Sequence, residues 1–123
     1  TGVQTCALPI SFMDIMPRCT GHTLVIPKAP VRNILDANPQ QLAVIMQTTQ
    51  RITLAVMKAF DAEGVTIQQF NEAAGGQVVF HMHVHVLPRR EGEKLRPHTG
   101  QMEDRQVLER QAEKIRAALG APA

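Results

Sequence analysis

The sequence predicts an α+β domain, a mainly antiparallel sheet with one long helix packed on it and a second helix at the C-terminus. Three features carry that expectation. Residues 77–87 hold His81, His83 and His85 at every second position, interleaved with apolar residues too often β-branched for a comfortable helix. Asn38-Pro39 supplies an N-cap and an N1 proline for an apolar pattern of helical period that runs to about Phe60. Residues 103–119 read as a charged surface helix.

Along the chain, residues 1–10 (Thr1-Gly2-Val3-Gln4-Thr5-Cys6-Ala7-Leu8-Pro9-Ile10) resemble the in-frame translation of a sequencing-library adapter. They are set aside as a non-native tail, which leaves residues 11–123 as one domain. Residues 22–27 form a short apolar strand after Gly21, stopped by Pro27-Lys28-Ala29-Pro30, which neither continues a ladder nor easily starts a helix. Residues 33–38 make a turn. The long helix then spaces Leu42, Ile45, Met46, Ile52, Leu54, Val56 and Met57 helically, with drift around Thr48-Thr49, and Gly64 closes it. Residues 65–70 are strand-like, residues 71–76 a glycine-rich turn, and residues 77–87 the histidine strand, so the two strands should pair antiparallel. Gly92, Pro97 and Gly100 break the polar stretch that leads to the last helix.

Composition bounds the class. A chain of 123 residues with 44% apolar and 20% charged residues has the balance of one globular domain. A net charge of +2 and 3% aromatics, without a basic block, argue against a nucleic-acid groove. Cys6 and Cys19 form neither a disulfide scaffold nor a Cys-x-x-Cys pair. No stretch reads as a membrane span or a secretory signal, so the expected address is the cytoplasm, with no membrane partner.

In a strand, alternate side chains leave one face about 6.6–6.8 Å apart, so His81, His83 and His85 would line one surface while Phe80, Met82, Val84 and Val86 line the other. A lone histidine is ordinarily a satisfied polar group; three with an apolar counterface are not. Imidazoles at this spacing can share zinc, but three on one strand fan along about 13 Å. No Cys, Asp or Glu stands beside them, so His22 or His98 would have to fold in. Nucleophilic attack on phosphorus suits the surroundings better. An imidazole with one ring nitrogen unprotonated and the other held attacks well, and the turn Ala73-Ala74-Gly75-Gly76-Gln77 lets backbone approach a phosphate.

The segment Gly75-Gly76-Gln77-Val78-Val79-Phe80-His81-Met82-His83-Val84-His85-Val86-Leu87-Pro88-Arg89 resembles the defining motif of the histidine-triad (HIT) superfamily, His-φ-His-φ-His-φ-φ with φ apolar. A second block, Phe12-Met13-Asp14-Ile15-Met16-Pro17 through Gly21-His22-Thr23-Leu24-Val25-Ile26-Pro27-Lys28, is similar to the family's other recognisable segment. Leu95-Arg96-Pro97-His98-Thr99-Gly100 resembles bacterial Hint- and Fhit-like members.

That resemblance implies a HIT-like fold and hydrolysis or transfer of a nucleotidyl group through a covalent nucleotidyl-histidine. His83 would be the nucleophile, His81 would orient it through its main-chain carbonyl, His85 would hold the phosphate or assist the leaving group, and His22 would support the triad from the neighbouring strand. Asn71, Gln77 and the N–H of Val78 would face the phosphate, Asp14 the ribose hydroxyls, and Phe12, Ile15 and Leu24 the base. The implied ligand is a purine nucleotide or nucleotide conjugate, in a homodimer, with no metal or other cofactor. The family ordinarily has a strand and a short helix before the Phe12 block. Without them the base pocket is half built and an apolar sheet surface is exposed. The alternatives are a non-catalytic nucleotide-binding protein and a zinc-binding module.

Overall fold

The computed structural model describes residues 8–97 and 100–120. Strands β1 (Ile10–Met13) and β2 (Thr23–Ile26) precede helix α1 (Pro39–Ala59); β3 (Gly64–Gln68), a single 3-10 turn (Ala73–Gly75), β4 (Val84–Arg89) and helix α2 (Arg105–Leu119) follow. The sheet runs β1-β2-β4-β3, antiparallel throughout. Both helices cover one face: Val25, Val84 and Val86 of the sheet pack with Ile45, Ile52, Ala55 and Val56 of α1 and Ile115 of α2. Among the described residues no helix is long and apolar enough to cross a membrane.

Helix α1 starts where the sequence places it, because Asn38 and Gln41 cap each other: the Gln41 N–H donates to Asn38 Oδ1 at 2.8 Å and the Asn38 N–H to Gln41 Oε1 at 2.9 Å. Its end differs. The helix stops at Ala59 with Phe60 as cap, Asp61 takes the left-handed turn at φ 48°, and Gly64 opens β3 instead of closing α1. Its buried stripe also differs from the apolar pattern. Thr49 and Ala55 are buried, and Thr49 donates its hydroxyl to the Ile45 carbonyl at 2.8 Å, so a polar residue occupies a core position and produces the drift in the sequence. Met46 and Leu54 face outward, 53% and 66% exposed.

The histidine strand is shorter than its period suggests. Only His85 lies in the β4 ladder; His81 and His83 precede it, and of the expected apolar counterface Met82, Val84 and Val86 are buried in the core, while Phe80 is exposed on the loop with Val78 and Val79. The Met82 N–H donates to the Val31 carbonyl at 2.8 Å, which draws the chain off the sheet before Val84. Pro88 fits in β4 because it lies beyond Val86, the last residue registered with β2, where only β3 runs alongside. Strand β1 has no counterpart in the sequence reading. Its first residue, Ile10, belongs to the stretch that reads as a non-native tail, yet it pairs with Ile26; residues 1–7 of that tail lie outside the described residues, as does His98.

Candidate active site

The sheet face away from the helices carries one row of cross-strand partners, Phe12, Leu24, His85 and Gln68, set by the registers Phe12↔Leu24, Leu24↔His85 and Gln68↔His85. His22 enters just before β2. Gly21 makes that entry possible: its φ is +82°, and a Cβ there would stand 2.6 Å from the Phe60 ring. The turn leaves His22 buried with its ring aimed at His85.

Hydrogen-bond partners assign the protons on these rings. The Arg18 N–H donates to His22 Nδ1 at 3.0 Å, so His22 carries its proton on Nε2. That N–H points at His85 Nδ1, 2.9 Å away, with Asp14 Oδ2 at 3.5 Å. His85 therefore holds its proton on Nε2. In His83, Nδ1 donates to the His81 carbonyl at 2.8 Å, which places the lone pair on Nε2. His81 in turn donates from Nε2 to the Pro27 carbonyl at 2.8 Å. The rings of His83 and His85 meet edge to face with centroids 4.9 Å apart, and Phe70 lies edge-on to His85 at 5.8 Å. The structure thus gathers His22, His83, His85 and Asp14, while His81 contributes its carbonyl and ties the loop to the end of β2.

The expected phosphate contacts are placed differently. Gln77 is buried and all four of its side-chain bonds are internal: Oε1 accepts from the Glu72 N–H and from Asn33 Nδ2, and Nε2 donates to the carbonyls of Arg32 and Val79. Its amide therefore clamps the loop and has no valence left to face a phosphate. Val78 sits at the exposed loop tip. Asn71 pairs amide to amide with Gln69, and its Oδ1 also accepts from the Ile34 N–H at 2.9 Å. Asp14 turns one oxygen to the Met16 N–H at 2.8 Å and the other toward His22. Phe12 and Ile15 are exposed and Leu24 is half-buried.

Sequence reasoning missed what holds this loop. Arg32 meets both oxygens of Glu72, at 2.8 and 2.9 Å, while buried Asn33 donates to Glu72 and to Gln77. These hydrogen bonds from Arg32 and Asn33 lower the Glu72 carboxyl to about 2. Arg32 also lies over the Phe80 ring, 4.3 Å from its centroid. Glu72 itself adopts φ 66°, a conformation few side chains take, which the bidentate partner sustains. The residue pairs are about forty positions apart in sequence, so no local pattern could announce them. Gln68 was also missed: it sits opposite His85, and its buried Oε1 has no hydrogen-bond partner among the described residues.

Asp14, His22 and His85 each present a ligand atom, all within 4.8 Å of one another. This trio differs from a fan of three triad histidines, and it is the arrangement of donors that a metal ion would find here.

Residues 3–92 match the HIT domain family. Among solved structures the chain is similar to a HIT-like protein involved in cell-cycle regulation from Bartonella henselae, with 51% sequence identity, a TM-score of 0.85, and coverage of 89% of this chain and 79% of that one. It is also similar to a zinc-bound histidine triad family protein from Mycobacterium smegmatis, with 37% identity, a TM-score of 0.79, and coverage of 91% and 78%. An adenylylsulfatase of Arabidopsis thaliana is 32% identical over 96 residues, 73% of this chain and 49% of the relative. The chain spans between 47% and 65% of the length of the curated relatives it matches.

Proposed function

The chain belongs to the histidine-triad family, and from that premise we propose that it is a nucleotide hydrolase or nucleotidyl transferase acting on the α-phosphate of nucleoside phosphate derivatives through a covalent intermediate on His83. Phosphoramidates, aminoacyl adenylates and dinucleoside polyphosphates are the substrate classes. The observation that carries the reading is the 2.8 Å bond from His83 Nδ1 to the His81 carbonyl, which leaves Nε2 as an imidazole lone pair beside the His85 ring.

In the first step Nε2 of His83 bonds to phosphorus and the leaving group departs with its electron pair, taking a proton from solvent. The ring becomes cationic, and the His81 carbonyl stabilises the remaining Nδ1–H. His85, its Nδ1 occupied by His22, directs Nε2–H to a phosphoryl oxygen, where it offsets charge that grows in the transition state. Water then attacks phosphorus and gives up a proton to solvent, the P–N bond breaks, and its electron pair returns to His83 as the nucleoside monophosphate leaves. Leu24 and Phe12, in the same row as His85, offer an apolar surface to the base.

A fluorogenic adenylyl phosphoramidate assayed with the wild type and with His83→Ala, followed by intact mass after rapid acid quench, tests the reading. Turnover and a nucleotide mass on His83 are expected in the wild type and are absent in the variant. Full activity of the variant would end the proposal, and tight nucleotide binding without turnover in the wild type would favour a non-catalytic binding protein.

A second reading, zinc held by Asp14, His22 and His85, is favoured by the nearness of their three ligand atoms. The direct 2.9 Å bond between the two imidazoles weighs for a proton-sharing pair instead. Stoichiometric zinc in purified protein, lost in Asp14→Ala, would support the metal.

We also propose a homodimer. The edge strand β3 and the outward Met46 and Leu54 of α1 offer the backbone edge and apolar surface that such an assembly uses.

A further inference from the structure

A cavity lies away from the triad, at the far end of β4. It has a volume of about 600 Å³ and sits between the end of α1, the loop before β2, the segment after β4, and α2. Among the described residues no histidine lines it, and five residues of strand, about 16 Å, separate Val84 beside the triad from Arg89 on its wall.

Its charge sets it apart. Among the described residues, Arg18, Arg89, Arg90, Lys94, Arg96 and Lys114 line it against Asp61 and Glu93. Six cations less two anions leave +4, while the other seven Lys and Arg and nine Asp and Glu of the chain leave −2. A protein whose remaining surface is acidic gathers nearly half its cations in one concavity, at a cost in mutual repulsion that an anionic ligand removes.

The guanidinium groups are fastened in place. Arg18 donates from Nε to the Arg96 carbonyl at 2.7 Å, Arg89 to the Thr66 hydroxyl at 3.1 Å, and Arg90 to Asp61 at 3.3 Å. Lys94 and Lys114 have no carboxylate partner among the described residues, so their ammonium groups are available. Cys19, also on the wall, is no nucleophile: burial pushes its thiol up to about 11, against the opposing fields of Arg96, Arg89 and Arg18, which converge on it.

We propose that this cavity is a second anion site that takes a small molecule bearing two or more linked phosphates, separate from the substrate phosphate at His83. Cations on four elements of the fold, rather than along one helix or strand, match an anion whose charges are spread over several atoms in a compact body. The concave shape suits a small molecule better than a flat acidic protein surface. Phe60 and Leu95 add an apolar wall that a nucleoside carried on those phosphates would meet.

The test is titration of the whole chain with inorganic tripolyphosphate at about 0.15 M ionic strength, where loosely attracted ions are screened, read by calorimetry and by amide NMR shifts. Saturable binding is expected, with shifts at Thr20, Ala62 and Leu95, unchanged in His83→Asn. The double variant Lys94→Glu, Lys114→Glu should weaken it by about tenfold or more, whereas Arg51→Glu on the outer face of α1 should leave it unchanged. Parallel titrations with ATP separate the source of the phosphates: tighter binding than tripolyphosphate with the same amide shifts assigns a nucleotide, and equal binding assigns the phosphate chain alone. No saturable binding, loss of binding in His83→Asn, or equal weakening by Arg51→Glu overturns the proposal.

Discussion

His22 shows how a buried side chain sets the chemistry of a neighbour it never shares with substrate. Because the Arg18 N–H occupies its Nδ1, His22 carries its proton on Nε2 and directs it to His85 Nδ1, and that choice puts the His85 proton on Nε2. His22→Ala removes the donor and should cost about 10²–10⁴-fold in kcat, the range of a positioned proton-handling group. His22→Gln restores an N–H toward His85 and should recover part of that loss at a similar thermal midpoint. Equal losses in the two variants, measured with the phosphoramidate assay, would assign His22 to packing alone. Cys19 makes the opposite case, a residue whose chemistry is suppressed by its surroundings. With its thiol at about 11, it should alkylate with iodoacetamide at pH 8 at least about tenfold more slowly than a free thiol, resolved from Cys6 by peptide mapping. A rate like that of the free thiol would contradict its burial.

Among elements, the loop between β3 and β4 depends on contacts that bridge to the loop before α1. The Glu72 carboxyl lies at about 2, below its ordinary 4.5, because Arg32 and then Asn33 donate to the charged form. A lowered carboxyl contributes stability that is present above about 4.5 and is lost as pH falls through about 2. Wild type should therefore be more stable than Glu72→Gln at neutral pH by a modest margin, since the pair is partly open to solvent. The margin should narrow below about 4.5 and close near 2. Urea denaturation of both proteins across that window measures it, and a margin independent of pH would show that the charge is idle. This clamp also marks the limit of what the sequence discloses. The Asn38 cap, the helix it starts and the antiparallel pairing of β3 with β4 are legible because each is written in adjacent residues or in one short period. The triad is legible as a motif. Its geometry is not, since the alternation of His81, His83 and His85 suggests a continuous strand, whereas the backbone bond from Met82 to Val31 and the four bonds of Gln77 pull the first two off the ladder. Gln77 reads as a phosphate contact until Asn33, forty-four residues away, is seen to use it.

For the molecule as a whole, the sheet order leaves β3 as an edge whose outer backbone groups are not paired within the described chain. Such an edge invites another strand unless something guards it, and here Gly64–Gln68 carries no lysine or proline to do so. Next to it in the fold, α1 turns Met46 and Leu54 outward two helical turns apart, which makes an apolar stripe rather than a scatter of single exposed residues. In the proposed two-fold dimer each copy would present both edge and stripe to the other. Leu54 is the informative position, since it is 66% exposed and a change there leaves the core of one protomer intact. If α1 lies in the proposed interface, Leu54→Glu would bring a carboxylate from each copy into an apolar contact. Sedimentation velocity should find the wild type as a dimer at micromolar concentration and the variant as a monomer with the same far-UV circular dichroism. The variant's stability should change by no more than about 0.5 kcal/mol when compared at dilutions where both are monomeric. A monomeric wild type, or a Leu54→Glu protein that still sediments as a dimer, would move the interface off this face.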